Sequence, residues 1–250
     1  MKKSFFKIFI ATFVLFLTAS CAVDSTEEIV KPSAVPVGTV SISISQTPPP
    51  VAVKEINYLA LGDSYTIGQS VCETCRFPEQ LKKSLGNVST LKIIAQTGWT
   101  TTNLISAINN QNPSLHYDLV TLLIGVNNQY QNISFSVYEK DFPALVNKAI
   151  ALGKGDKSNV IVVSIPDYAF TPFGKQSNPS KISSEIDNYN AFAQNYCKAN
   201  TIEFITITDI TRQGLINPLL VATDGLHPSE FAYSLFVECI LPKARIAVQN

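Results

Sequence analysis

The sequence predicts an α/β domain: a three-layer α/β/α sandwich on a mostly parallel five-stranded sheet. Three observations lead there. From Glu55 onward, short apolar β-branched runs alternate with longer segments of helical pattern, and strands joined through helices run parallel. The helical segments carry start and stop signals, proline in a first turn and glycine after a last one. The 250-residue chain is 46% hydrophobic and 15% charged, with 19 basic and 19 acidic side chains. That balance argues against disorder and against a nucleic-acid partner.

In chain order, Met1–Lys7 holds three lysines, and the uncharged apolar run Ile8–Leu17 is followed by Thr18-Ala19-Ser20-Cys21. A basic start, a short apolar stretch and small residues before a cut predict a secretory leader over residues 1–20. The uncharged stretch ends at Asp24, short of the roughly 20 residues a membrane-spanning helix needs. Residues 21–54 read as a spacer, because Pro48-Pro49-Pro50 and the prolines before it forbid helix. The domain is expected over residues 55–250. Its strands fall at 56–61, 91–95, 119–124, 160–165 and 202–208, where apolar β-branched residues run for strand length. Its helices fall at 78–85, 101–110, 138–152, 180–198 and 229–248. Pro78 suits a first turn, Gly86 and Gly153 suit C-terminal caps, and Ser229 suits an N-cap.

Ligands of parallel sheets bind beyond the carboxyl ends of the strands, so the residues just after each strand carry the chemistry. After the first comes Gly62-Asp63-Ser64-Tyr65, after the second Thr97-Gly98-Trp99, after the third Gly125-Val126-Asn127-Asn128. Asp224-Gly225-Leu226-His227-Pro228 precedes the last helix. A serine hydroxyl becomes a nucleophile when an imidazole takes its proton, and the imidazole needs a carboxylate to fix its tautomer. Of the two histidines, His227 has such a carboxylate in Asp224, three residues earlier in a turn that aims both side chains. His116 lacks that company and reads as structural. Asp63 shapes the turn before Ser64 and is the less well placed acid. Two histidines leave no histidine-rich metal cage, and this chemistry requires neither metal nor cofactor.

Ser64 in GDSY, Gly98 in QTGWTT, Asn127 in GVNNQY and His227 in DGLHPS follow one another over residues 56–231. On these four blocks the chain resembles an SGNH hydrolase of the GDSL esterase and lipase superfamily. The resemblance implies an SGNH, flavodoxin-like form of the sandwich and hydrolysis of carboxylic esters through an acyl-enzyme. Ser64 is then the nucleophile, His227 the base and Asp224 its orienting acid. The N–H groups of Ser64 and Gly98 and the amide of Asn127 form the oxyanion hole. Tyr65 stands where the family often has leucine, and Asn128 where it often has aspartate; neither is a catalytic position. The Gly-x-Ser-x-Gly elbow of α/β-hydrolases is absent around Ser64. The expected substrates are acylated carbohydrates, favoured somewhat by export, or acyl lipids such as lysophospholipids and thioesters. A catalytically inactive, surface-displayed binding lipoprotein is the reading of a different class, against which the four intact blocks count.

Cys21 resembles the lipid-attachment cysteine of a bacterial lipoprotein, with Thr18 where leucine is usual. This implies a chain anchored by lipid to a membrane of the cell envelope; the protein is expected to be a monomer. Four cysteines remain, and an even number in an exported chain favours disulfides. Cys72 and Cys75 are expected to close a small ring beside the Ser64 loop; a thioredoxin-like redox pair lacks its βαβ context. Cys197 and Cys239 lie on two expected helices and pair only if those helices are neighbours. Tyr65, Trp99 and Tyr130 stand beside the catalytic blocks as candidate pocket walls, as do Phe170 and Phe173 in the long loop 167–179. Core filling is the alternative for each.

Overall fold

The computed structural model describes residues 54–114 and 116–249; the expected leader, Cys21 and the expected spacer up to residue 53 lie outside them. Five strands form one parallel sheet in the order β2-β1-β3-β4-β5. They are β1 (Ile56–Gly62), β2 (Val88–Ala95), β3 (Leu119–Leu123), β4 (Val160–Val163) and β5 (Glu203–Ile205). The helices are α1 (Ser64–Ile67), α2 (Phe77–Leu85), α3 (Thr101–Gln111), α4 (Val126–Tyr130), α5 (Phe135–Leu152), α6 (Pro179–Asn200), α7 (Thr208–Thr211) and α8 (Glu230–Ala247).

The central strands β3 and β4 read LVTLL and VIVV and are buried at every residue, as strands covered on both faces must be. The single polar intrusion, Thr121, is satisfied by the Tyr58 hydroxyl at 2.8 Å. The edge strand β2 exposes Ser89 and Thr90, which discourages pairing with a further strand. Helices α2 and α8 pack together over one face, and α3, α5 and α6 cover the other. The second layer is aromatic: Phe135, Tyr138, Phe142, Tyr189 and Phe192 interlock with ring centroids 4.6–6.2 Å apart. The chain leaves β1 toward β2 and then crosses to β3 on the other side. The carboxyl ends of β1 and β3 therefore open onto the crevice where such sheets bind ligands.

The departures from expectation have local causes. Strand β2 starts at Val88, not Leu91, because pairing with Ile56 and Asn57 recruits polar residues that carry no apolar pattern. Strand β5 stops at Ile205, since the Ser164 hydroxyl accepts the Ile207 N–H and turns the chain into α7. Helix α5 begins at Phe135 and runs through Pro143. Short helices α1 and α4 lie outside the expected helices. Cys72 and Cys75 form a disulfide. Cys197 and Cys239 do not pair: both are free thiols, on helices that cover opposite faces of the sheet.

Candidate active site

Ser64 is the first residue of α1, directly after β1. Asp63 caps that helix, its Oδ1 accepting the Tyr65 N–H at 3.0 Å, and Gly68 ends it in a left-handed turn. The turn is tight enough that a Cβ on Gly62 would lie 2.0 Å from Thr66 Oγ1 and 2.5 Å from the Leu123 carbonyl oxygen, so only glycine fits there. Asp63 is fully buried. Burial raises its carboxyl to about 7, against the lowering effect of the Tyr65 N–H and the Asn127 amide.

Gly98 follows β2 with φ +84°, in the region that favours glycine. Helix α4 holds this turn from the neighbouring strand end: Gln131 Nε2 donates to the Gly98 carbonyl at 2.7 Å and Asn127 Nδ2 to the Trp99 carbonyl at 3.1 Å. Asn127 Nδ2 also approaches Asp63 Oδ2 at 3.4 Å. Buried Asn128 accepts from the Thr101 N–H and donates to its hydroxyl, joining α4 to α3. Among the described residues, the N–H groups of Ser64 and Gly98 have no acceptor.

His227 is 8% exposed and lies in a loop closed by an antiparallel bridge between Val221 and Pro228. Its Nδ1–H donates to Asp224 Oδ2 at 2.6 Å, and Asp224 Oδ1 accepts the N–H groups of Leu226 and His227. The Ser70 hydroxyl donates to the same Oδ2 at 2.7 Å. Partial burial works to raise the Asp224 carboxyl, but hydrogen bonds from Ser70, His227 and the main chain outweigh it and bring it down to about 2. Asp224 is thus an anion that fixes the imidazole, leaving Nε2 as the proton-accepting nitrogen.

Ser64, Gly98, Asn127 and His227 line one cavity of about 230 Å³, walled further by Tyr65, Tyr130, Tyr168 and Phe173. No hydrogen bond joins the Ser64 hydroxyl to the His227 imidazole. Of the aromatic residues expected at the site, Tyr65, Tyr130 and Phe173 are in the wall. Trp99 is not: its ring packs against the core, and it contributes through its carbonyl. Phe170 also packs on the core, and His116 is exposed before β3. Ser70 and Tyr168 were missed by sequence reasoning. Ser70 acts on a residue 154 positions away, and Tyr168 gave no signal beyond its place in the long loop after β4. Among the described residues, no group of three or more His, Cys, Asp or Glu converges to hold a metal ion.

The arrangement places a hydroxyl, an imidazole with its carboxylate, two N–H groups and an amide around one small, largely apolar space. The chain matches the GDSL-like lipase/acylhydrolase family over residues 60–235. Solved structures of similar fold include a lipolytic protein of the G-D-S-L family from Veillonella parvula, 19% identical, covering 76% of this chain and 97% of that one with a TM-score of 0.60. A lipase/acylhydrolase from Enterococcus faecalis is 18% identical over 76% of this chain and 95% of its own, TM-score 0.59. An acetylxylan esterase from Geobacillus stearothermophilus is 18% identical over 76% and 94%, TM-score 0.55. No curated protein matches the chain.

Proposed function

The chain belongs to the GDSL-like lipase/acylhydrolase family and is an ester hydrolase, and from that premise we propose how Ser64, His227 and Asp224 divide the work. Ser64 Oγ attacks the ester carbonyl as His227 Nε2 takes its proton; Asp224 holds the ring and stabilises the imidazolium. The N–H groups of Ser64 and Gly98 and the amide of Asn127 receive the oxyanion, Asn127 releasing its long contact to Asp63 to do so. The intermediate collapses to an acyl-enzyme, the imidazolium protonates the departing alcohol, and water activated by His227 frees the acid. The Ser64–His227 contact tightens when substrate fills the cavity, as such contacts do on complex formation. The observation that carries the proposal is the convergence of Ser64, Gly98, Asn127 and His227 on one cavity, with Asp224 at 2.6 Å from the imidazole.

The cavity is small beside the ~300–1,000 Å³ usual for drug-sized ligands, which favours a short acyl group. The substrate is then an acylated carbohydrate, with acyl lipids of the lysophospholipid or thioester kind as the second class. Turnover of p-nitrophenyl esters tests this: acetate is expected to exceed decanoate, Ser64→Ala to abolish both, and retained turnover in Ser64→Ala to refute the assignment. Residues 1–20 are a cleaved leader, Cys21 carries lipid on a membrane of the cell envelope, and residues 21–54 space the 55–250 domain, a monomer, from it. Metabolic labelling with a fatty acid, lost in Cys21→Ser, checks the anchor.

A further inference from the structure

On the other side of α4 from the catalytic cavity lies a larger groove of about 530 Å³, between the α4–α5 junction and α6. Its apolar walls include Phe135 and Phe192, half-buried and edge-to-face at 5.9 Å. Its polar walls are Gln129, Asn132, Glu185 and Asn188. Gln129 is bridged on both sides: its Nε2 donates to Glu185 Oε2 at 2.8 Å, and its Oε1 accepts the Tyr168 hydroxyl at 2.8 Å. Burial pushes the Tyr168 phenol up to about 12, so it stays a neutral donor. Tyr168 also walls the catalytic cavity, as does Tyr130, the neighbour of Gln129 in sequence. Gln129 on the groove side, bonded to Tyr168 and next in sequence to Tyr130 on the cavity side, forms a partition between the two spaces.

The chemistry of this groove selects among ligands. An acyl chain wants uninterrupted apolar wall, and here amides and a carboxylate interrupt it. A phosphate headgroup wants a free cation, and the groove walls contain no lysine or arginine; Lys181, next to Glu185, is paired with it at 3.7 Å. A sugar ring presents C–H faces that cover aromatic surface and hydroxyls that need both donors and acceptors, which Asn, Gln and Glu side chains supply. We infer that this groove is a glycan subsite, binding unacylated sugar units of a polysaccharide whose ester enters the catalytic cavity across the Gln129–Tyr130–Tyr168 partition. The delivery of the ester rests on the hydrolase reading of Ser64; the binding of sugar does not.

Two variants of the full chain leave the catalytic residues untouched: Asn132→Ala/Asn188→Ala removes two exposed amides, and Ala191→Arg obstructs the groove from an exposed helix position. Saturation-transfer NMR and calorimetry with oligomers of xylose, mannose, glucose and N-acetylglucosamine that carry no O-acetyl ester read binding alone. At least one oligomer is expected to bind the Ser64→Ala protein and to lose about tenfold in affinity with either groove variant, the size of one or two lost hydrogen bonds. With the wild-type Ser64, kcat/KM on the O-acetylated form of that oligomer falls about as much through KM, while p-nitrophenyl acetate turnover stays within about twofold. Binding without any ester turnover would sink the hydrolase reading and leave the subsite standing. No binding of any oligomer, binding indifferent to both variants, or capture of lysophosphatidylcholine in the groove would overturn the subsite.

Discussion

The turn that presents Ser64 and the loop that presents His227 meet at one cavity, yet they are held by different forces. Ser64 follows a central strand that is buried at every residue but Asn57, and its turn is set by packing: Gly62 against Thr66 and the Leu123 carbonyl, Asp63 with no exposed surface. His227 comes from a loop held by hydrogen bonds, above all those that converge on Asp224. The two aspartates record the difference. Burial lifts the Asp63 carboxyl to about 7, whereas hydrogen bonds draw the Asp224 carboxyl down to about 2. Position by packing ties Ser64 to the stability of the fold. Position by polar contacts lets His227 be mis-set with the fold intact.

Five substitutions sharpen or break that contrast. The largest effect is expected of Asp224→Asn, which keeps shape but loses the anion that orients the ring: turnover of p-nitrophenyl acetate falls roughly 10⁴-fold with the melting temperature little changed. Asn127→Ala follows, with kcat down by about 10²–10³ and KM nearly constant; a defect confined to KM would remove Asn127 from the oxyanion hole. Gly62→Ala acts on the packed side. Its Cβ meets backbone, so calorimetry should show a loss of about 1–3 kcal/mol, or more if the strand cannot shift.

The fourth is a pH effect whose sign follows from the shifts. A carboxyl raised from 3.8 to about 7 favours the fold fully below 3.8 and loses that contribution as pH rises through about 7. Asp63→Asn should therefore melt higher than wild type at pH 8 and equal to it near pH 4. Asp224 has the opposite sign: its contribution is present above 3.8 and is lost as pH falls through about 2. The smallest effect belongs to Ser70→Ala, which removes one of several hydrogen bonds on Asp224, with turnover down less than about tenfold and unfolding little altered.

The same contrast governs what the sequence made legible. Strands β1, β3 and β4 announce themselves as apolar runs, and the residues just past β1, β2 and β3 could be located because a parallel sheet puts them at one edge. The Asp224–His227 pair was visible because both partners sit in one short loop. The contacts across the fold were not visible. Ser70 reaches Asp224 over 154 residues, and the Gln129–Tyr168–Glu185 chain draws on three separate segments. Trp99 illustrates the converse: its neighbour Gly98 suggested a pocket wall, but the turn directs its carbonyl, not its ring, to the site. Polar β2 residues gave no periodic signal because an edge strand needs none on its exposed side.

Whether Ser64 is a nucleophile activated from the His227 loop can be read with a fluorophosphonate probe and mass spectrometry of the labelled peptide. One adduct per chain is expected on Ser64, absent in Ser64→Ala and formed far more slowly in Asp224→Asn. A folded protein that takes no label, or takes it on another residue at the same rate in all three proteins, would contradict it.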